Sequence, residues 1–313
     1  MHLEDASNRK LLLVKGSSSM VALHLLPTPR STAEVPSAEA SAVMTDAFIL
    51  RNSERTKTQK SRPVLVHLWE DQWLEHDAIV QSRILAMLGR ARRIFARTTR
   101  VHRIDKAACD AFLLENHLWG ATKARYRYGL YANKGEGDLV AVASFSPRWN
   151  LRRYGHENPR ASHELIRYCS RRGTTVVGGI SKLLSAFIAD ANPDEIVTVI
   201  DRDWGSGEGW QTLGFRPLKK LPPVTFYVGP DGLRCHPGEG PNPHRRRLPP
   251  DVAAALQAAS SATAEKAGSS NFDHETLATL DFFPVRDAGA ERHLLVVTPV
   301  PAHDIDPVIS TTT

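Results

Sequence analysis

The stretch from Thr175 to Leu184 has the residue types of an anion-binding turn. It begins as an apolar strand end, continues with Gly178 and Gly179, and runs directly into an amphipathic helix. Two glycines let the backbone approach a ligand closely, and the unpaired amides at the start of a helix attract a phosphate or pyrophosphate. The alternative interpretation is structural, because a glycine pair before a helix also makes the tight turn that packs the helix on a sheet.

Few other residues have a type and spacing that suggest binding or catalysis. Lys182, in the first turn of the expected helix, could pair with a bound phosphate or face solvent. The nearest approach to metal-ligand spacing is Cys235-His236 with His244, but one cysteine without a second pair falls short of a structural zinc site, so no metal is expected. The three cysteines are scattered and odd in number, which argues against a disulfide framework and favours a reducing compartment.

The composition predicts a soluble globular protein. The chain has 313 residues, of which 42% are hydrophobic and 24% charged, enough for a core in one or two domains. No run approaches the ~20 apolar residues of a membrane span, so we expect no membrane association. A cytoplasmic location is favoured. The Ser- and Ala-rich N-terminus leaves organelle targeting open, although Glu4 and Asp5 lie where such signals avoid acid.

The charge balance favours anionic partners. The formal net charge is +6 and the pI is about 9.3, which suits nucleic acid or a phosphorylated cofactor. The arginine clusters are short, and we see in them no aromatic interleaving of the kind that single-strand binding grooves use. Solvated surface is therefore the simpler interpretation of these clusters, which are Arg90 to Arg93, Arg152-Arg153, Arg171-Arg172 and Arg245 to Arg247.

Composition and periodicity divide the chain into segments. Strands and helices alternate through the centre, which predicts a layered α/β or α+β domain. Asp105 is the expected N-cap of a helix at 107–117. The predicted segments are a disordered low-complexity tail at 1–60, a strand-helix lead-in at 63–92, the main domain at 93–228, a Pro/Gly/Ala-rich linker at 229–270, a C-terminal hairpin packed on the domain at 271–300, and a tail at 301–313.

Two motifs resemble those of the GNAT superfamily of acyl-CoA-dependent N-acyltransferases. The run Thr175-Val-Val-Gly178-Gly179-Ile180 resembles the family's pyrophosphate loop, Q/R-x-x-G-x-G/A. Trp210-Gln-Thr-Leu-Gly214-Phe215 resembles its late aromatic-x-x-x-Gly-Phe element. The resemblance spans about residues 93 to 228 and implies an α+β fold with a mixed, mainly antiparallel sheet flanked by helices. It implies acetyl-CoA or another acyl-CoA as co-substrate, an unknown amine acceptor and direct transfer.

The chain departs from both motifs. Thr175 stands where Gln or Arg is usual, and Ile180 replaces the last small residue. Trp210 occupies the place of a tyrosine that often serves as general acid, and an indole cannot donate a proton near neutral pH. The residues that the resemblance assigns to the cofactor are Val177, Gly178, Gly179, Ile180, Ser181, Lys182 and Trp210.

The resemblance also suggests two candidate bases. Glu164 lies near the place where many GNAT enzymes have a general base, and its alternative role is a strand-edge carboxylate paired with Arg167 or Arg171. Asp201 follows a buried strand and could be a base or a polar anchor. Its alternative role is a turn residue that stabilises the loop from Gly205 to Gly209.

A closer resemblance is to a GNAT-like module associated with phage homing-type endonucleases and their uncharacterised relatives. It implies a second hypothesis, a non-catalytic module that binds nucleic acid or docks a partner. The residues before Pro63 offer no strand-borne acidic cluster for metal-dependent cleavage, so we expect no nuclease activity. The matching segments include Leu68 to Trp73, Asn116 to Gly120, Tyr128 to Tyr131, Glu164 to Tyr168, Val177 to Leu183, Asp201 to Trp204 and Asp287 to Gly289.

Overall fold

The computed structural model places the chain in two compact units. The first unit is made of Met1–Arg90, Asp201–Ser206 and Leu221–Ala290, and the second of Ala91–Ile200, Gly207–Lys220 and Glu291–Thr313. The residues that the structure describes are 11–16, 19–37, 39–54, 63–133, 137–152, 159–236, 246–255, 277 and 279–298.

Strands and helices alternate as the sequence predicts, and the fold class is α+β with a mixed sheet flanked by helices. In chain order the elements are β1 (Leu11–Lys15), β2 (Met20–Leu26), α1 (Ala40–Glu54), β3 (Pro63–Trp69), α2 (Glu70–Met87), β4 (Arg92–Phe95), β5 (Arg100–Arg103), α3 (Lys106–Asn116), β6 (Tyr126–Tyr131), β7 (Leu139–Phe145), β8 (Trp149–Leu151), β9 (Arg160–Ser170), β10 (Thr174–Val177), α4 (Gly179–Ala191), β11 (Glu195–Asp201), α5 (Glu208–Gln211), β12 (Arg216–Leu221), β13 (Thr225–Val228), β14 (Arg234–His236), β15 (Arg246–Arg247), β16 (Phe283–Arg286) and β17 (Ala290–Val296), with 3-10 turns at Thr32–Glu34 and Ala96–Thr98.

The N-terminal segment is a correction to the sequence analysis. Residues 1–60 were expected to be a disordered tail, but β1, β2 and α1 lie within them. Strand β2 pairs along its whole length with β3, in parallel, and antiparallel with β1. The register runs from Met20 opposite Pro63 to Leu26 opposite Trp69. A parallel partner more than thirty-five residues away along the chain gives no local sequence signal. Residues 1–10 and 55–60 lie outside the described residues.

A buried ion pair anchors the first unit. The Arg234 Nε atom donates to both Asp71 carboxylate oxygens at 2.9 Å, and both side chains are buried. The guanidinium lies 4.7 Å from the Trp69 ring centroid and 5.0 Å from that of Phe226. A charge removed from water in this way depends on its partner, so loss of either member leaves an uncompensated buried charge.

The C-terminal hairpin is a second correction. Its two strands bracket the expected turn, at which Gly289 has a φ of 77°. However, β16 pairs antiparallel with β13 in a four-stranded sheet, whereas β17 lies between β11 and β12 in another sheet. The contacts therefore do not follow the predicted boundaries at 228 and 271, because strand pairing here joins segments far apart in sequence. Residues 256–276 and 299–313 lie outside the described residues.

The second unit is built on an eight-stranded sheet. Its order is β12-β17-β11-β9-β7-β6-β5, with β8 paired to β9. Helix α3 begins at the predicted cap, since the Asp105 side chain accepts a hydrogen bond from the Ala108 amide at 2.7 Å. Helix α4 buries Leu183 and Phe187, and the Phe187 ring stacks on Phe145 with centroids 3.9 Å apart. This packing fixes the position of the helix whose N-terminus the glycines form.

Candidate active site

The glycine pair forms the turn between β10 and α4. Gly178 has a φ of 75°, in the left-handed region that favours glycine, and α4 begins at the next residue. A Cβ atom on Gly179 would lie 3.0 Å from the Tyr168 hydroxyl and from the Val176 side chain. One glycine is therefore required by backbone conformation and the other by close packing, so the structural interpretation of the pair holds in full.

Helix α4 begins at the same turn, so its first amides have no acceptor within the helix. The first described return bond at this end of the helix runs from the Lys182 amide to the Gly178 carbonyl at 3.1 Å. Ser181 is exposed, whereas Ile180 packs against the core. The Ile180 amide donates to the Tyr168 hydroxyl, so the amides of Gly179 and Ser181 and the positive end of the helix dipole together give the chemistry of an anion site.

Lys182 ties this helix to the turn after β4. Its Nζ atom donates to the Ala96 carbonyl at 2.8 Å and also to the Thr99 carbonyl. Neither sequence interpretation anticipated this tether. The ammonium group has three donors, so one remains beyond these two bonds and its positive charge stays beside the turn.

We call Gly178 and the first turn of α4 the cradle. Strand β9, which precedes β10 and the cradle, pairs with β11 over only part of its length. Strands β9 and β11 pair in parallel at four positions, from Ser162 opposite Glu195 to Leu165 opposite Thr198. Beyond this point β9 continues to Ser170 on β7, and β11 continues without β9 as its partner. Beyond this point the backbone groups of the two strands are not paired with each other. Val199, the next residue of β11, is apolar and 40% exposed.

Glu164 lies within β9, at the last part of its paired stretch. Its backbone is fixed by Ser146, whose Oγ accepts from the Glu164 amide at 2.8 Å and whose amide donates to the Glu164 carbonyl at 2.9 Å. Burial raises the pKa of the half-buried Glu164 carboxyl, while Arg292 and Arg167 oppose that shift. A carboxyl with a raised pKa is better suited to accept a proton near neutrality than the arginine-paired carboxylate of the alternative interpretation.

Asp201 stands in a different environment. It ends β11 and is grouped with the first unit, whereas Glu164 and the cradle belong to the second. Its Oδ1 accepts from the Asp203 amide at 3.0 Å, and its carbonyl accepts from the Trp204 amide at 3.1 Å. These bonds match the turn role. In the same unit, Asp287 accepts from two backbone amides, and burial raises the pKa of its carboxyl to about 6.

Trp210 lies in the second unit, in the short helix α5. Its ring packs against the core and meets Phe215 edge to face, with centroids 5.5 Å apart. Its carbonyl accepts from the Phe215 amide at 3.2 Å, so the residue closes the turn that carries Gly214. The indole has no acidic proton to offer a leaving group.

The structure adds residues that the sequence analysis missed. The Tyr168 hydroxyl lies against the first turn of α4, and burial raises the pKa of this phenol. The buried His293 pairs through Nε2 with Glu291 Oε2 at 2.8 Å, and its ring lies close to Gly207. Their sequence signal is only that of strand residues, because nothing local shows which helix or loop a strand side chain will meet.

Within the described ranges, no three His, Cys, Asp or Glu side chains form a group that could hold a metal ion. Cys235 is buried, and burial raises the pKa of its thiol to about 11. His244, the third residue of the weak ligand pattern, lies outside the described residues. In the same part of the chain, no helix has the length and apolar character needed to cross a bilayer.

Comparison with known proteins gives a limited picture. No family model matches the sequence, and no curated protein matches it. Among solved structures, the histone acetyltransferase HPA2 and related acetyltransferase of Corynebacterium glutamicum is 18% identical, with 40% of this chain and 88% of that chain covered and a TM-score of 0.29. Ribosomal-protein-S5-alanine acetyltransferase of Vibrio fischeri is 13% identical, with 40% and 84% covered and a TM-score of 0.27.

A putative acetyltransferase of Salmonella typhimurium, solved with acetyl-CoA, is 16% identical, with 40% of this chain and 83% of that chain covered and a TM-score of 0.26. Likeness at this level carries no weight for activity. The proposals below therefore rest on the strand order and the contacts of this chain.

Proposed function

We propose that the second unit is an acyl-CoA-dependent N-acyltransferase, with acetyl-CoA as the expected donor and an amine as the acceptor. The observation that carries this proposal is the coincidence of two features. A glycine turn begins a helix at the end of β10, and the pairing of the preceding strand β9 with β11 ends after Leu165 and Thr198. A donor with a pyrophosphate and an extended amide-containing arm needs both features.

The cradle would hold the pyrophosphate. The amides of Gly179 and Ser181 can donate to phosphate oxygens, and the free end of the α4 dipole favours negative charge there. Gly178 lets phosphate oxygens approach the backbone, since it has no side chain to intervene. Lys182, whose Nζ atom is held by the carbonyls of Ala96 and Thr99, adds a positive charge. Each hydrogen bond to a charged oxygen contributes about 1.5–3 kcal/mol.

The opening between β9 and β11 would take the pantetheine arm. Its two amide groups can pair with backbone donors and acceptors that the diverging strands leave unmatched, as a peptide pairs with a sheet edge. A strand amide directed at the thioester carbonyl would stabilise the negative charge that develops on its oxygen. Val199 supplies an apolar contact on the β11 side.

Direct transfer needs one proton acceptor and a leaving thiolate. The acceptor nitrogen attacks the thioester carbonyl carbon, a C–N bond forms, the C–S bond breaks, and the nitrogen proton passes to the Glu164 carboxylate directly or through water. The raised pKa of Glu164 suits this role. Trp210 cannot protonate the leaving sulfur, so CoA leaves as a thiolate. With an ordinary thiol pKa of about 8.5, such a departure is feasible near neutral pH.

A second candidate function is a module that binds the donor without turnover. The observation that favours it is Trp210, which fills the place of the usual acid and packs into the core. The two candidates make the same prediction for donor binding and opposite predictions for catalysis.

Calorimetric titration of the full chain with acetyl-CoA and with CoA tests the shared part, and a thiol-release assay with a panel of small amines and lysine peptides tests the rest. Binding with thiol release that falls in Glu164→Gln supports the enzyme. Binding without release from any amine supports the module. Absence of binding at millimolar ligand contradicts both.

A further inference from the structure

The turn between β4 and β5 carries exposed arginines around an exposed phenylalanine. Phe95 ends β4 and is 41% exposed. An exposed aromatic side chain offers a large apolar area that a ligand can cover. We call the set Arg92, Arg93, Phe95, Arg97 and Arg100 the arginine strip, and all five side chains are exposed.

The guanidinium groups of two of these arginines lie near the ring. The guanidinium carbon of Arg97 lies 4.9 Å from the Phe95 centroid and that of Arg93 lies 5.8 Å from it. Alternation along β4 explains this arrangement, since Arg93 and Phe95 point to one face while Ile94 packs into the core from the other. The sequence analysis considered the cluster Arg90 to Arg93, which contains no aromatic residue, and did not extend it to Phe95 and Arg97.

The strip carries uncompensated charge. Elsewhere in the second unit arginines have acidic partners, as in Arg103 with Asp190, Arg171 with Asp138 and Arg172 with Glu115. None of the four strip arginines has an ion-pair partner among the residues that the structure describes. An exposed surface with four unpaired positive charges attracts a polyanion.

The backbone beneath the strip is held by several hydrogen bonds. The Thr98 hydroxyl donates to the Phe95 carbonyl at 2.8 Å, and the Thr99 hydroxyl donates to the Ala96 carbonyl at 2.8 Å. Lys182 binds two carbonyls of the same turn, and β4 is paired along its length with β10. A backbone that is already ordered loses little conformational entropy on binding.

We propose that the arginine strip binds single-stranded nucleic acid. The exposed Phe95 ring offers a face on which an unpaired base stacks, and the arginines contact the phosphates on either side. Duplex does not fit this geometry, because its bases are already stacked on one another. The four arginines of the strip allow contacts to as many as four phosphates, one for each guanidinium group.

Fluorescence anisotropy with a labelled oligothymidine of about 12 nucleotides tests the proposal on the full chain. Contacts to four phosphates predict a slope of about −2.8 for log affinity against log salt, and Arg93→Ala/Arg97→Ala reduces its magnitude to about 1.4. Phe95→Leu weakens binding about five- to hundredfold with the slope unchanged, because it removes stacking and no charge. The matched control Arg171→Ala/Arg172→Ala removes the same charge from paired arginines and keeps the wild-type slope.

Several results overturn the proposal. They are no binding at ~50 mM salt, where phosphate contacts are strongest; an unchanged slope in Arg93→Ala/Arg97→Ala; and tighter binding of a duplex of the same length. Displacement of the oligonucleotide by acetyl-CoA, together with loss of acetyl-CoA binding in the Arg93/Arg97 variant, also overturns it by assigning the strip to the donor. The proposal does not depend on the proposed catalysis. We therefore expect Gly178→Ala to impair donor binding and to leave oligonucleotide binding intact.

Discussion

Gly178 and Gly173 have nearly the same backbone conformation, so alanine substitutions at the two positions distinguish a loss of ligand binding from a loss of stability. Gly178 has a φ of 75° and Gly173 a φ of 72°, so alanine at either position forces a left-handed residue and costs about 1–2 kcal/mol of stability. Added Cβ atoms meet little in either case, with the Ala96 Cβ at 3.6 Å from the first and nothing within 4 Å of the second. We therefore expect similar losses in the free energy of unfolding.

Acetyl-CoA affinity should differ between the two variants. At 178 a side chain enters the place where a phosphate oxygen approaches the backbone, and loss of one charge-assisted hydrogen bond, about 1.5–3 kcal/mol, predicts roughly a 10- to 150-fold rise in Kd. Gly173→Ala, in the turn before β10, should keep the wild-type Kd. Urea unfolding and isothermal titration of both variants provide the measurements. Equal affinities for acetyl-CoA in the two variants would refute the assignment of the cradle.

Three further predictions concern buried charges. Glu164→Gln should abolish most thiol release with little change in acetyl-CoA Kd. Because the pKa of Glu164 in the folded protein is raised above 4.5, the stability of the wild type relative to this variant should fall as pH rises above that value. A stability difference that is independent of pH in urea unfolding would contradict this prediction. Asp71→Ala should lower the free energy of unfolding by about 3–5 kcal/mol because Arg234 stays buried without its partner, and a loss under 1 kcal/mol would show that water reaches the site. Asp287 has a pKa raised from 3.8 to about 6, so the stability of the wild type relative to Asp287→Asn should fall between about pH 4 and pH 6 and level off above; the opposite trend would mean that its amide bonds outweigh burial.

Local patterns were sufficient for most of the second unit. Adjacent residues are enough to predict the Asp105 cap and the turn at Gly178, and strands and helices alternate around them as the sequence predicts. What the sequence could not supply is pairing at a distance. The register of β2 on β3 and the separate sheets of β16 and β17 depend on partners that no local window contains.

The candidate site shows the same division. Gly178 and Lys182 were identifiable from type and spacing, but the carbonyl tether of Lys182 and the position of Tyr168 depend on tertiary packing. Asp201 was predicted as a base from its place after a buried strand, and its turn bonds are found only in the structure. Phe95 was overlooked because a strand aromatic is ordinarily a core residue.

Hydrogen exchange at the cradle tests the central claim most directly. The backbone amides of Gly179 and Ser181 should exchange at least tenfold more slowly when acetyl-CoA is saturating, because phosphate oxygens would accept their hydrogen bonds. The turn at 171–173 serves as an internal reference whose rates should stay constant. Unchanged exchange at both amides in millimolar acetyl-CoA would contradict the account of this turn as a pyrophosphate site.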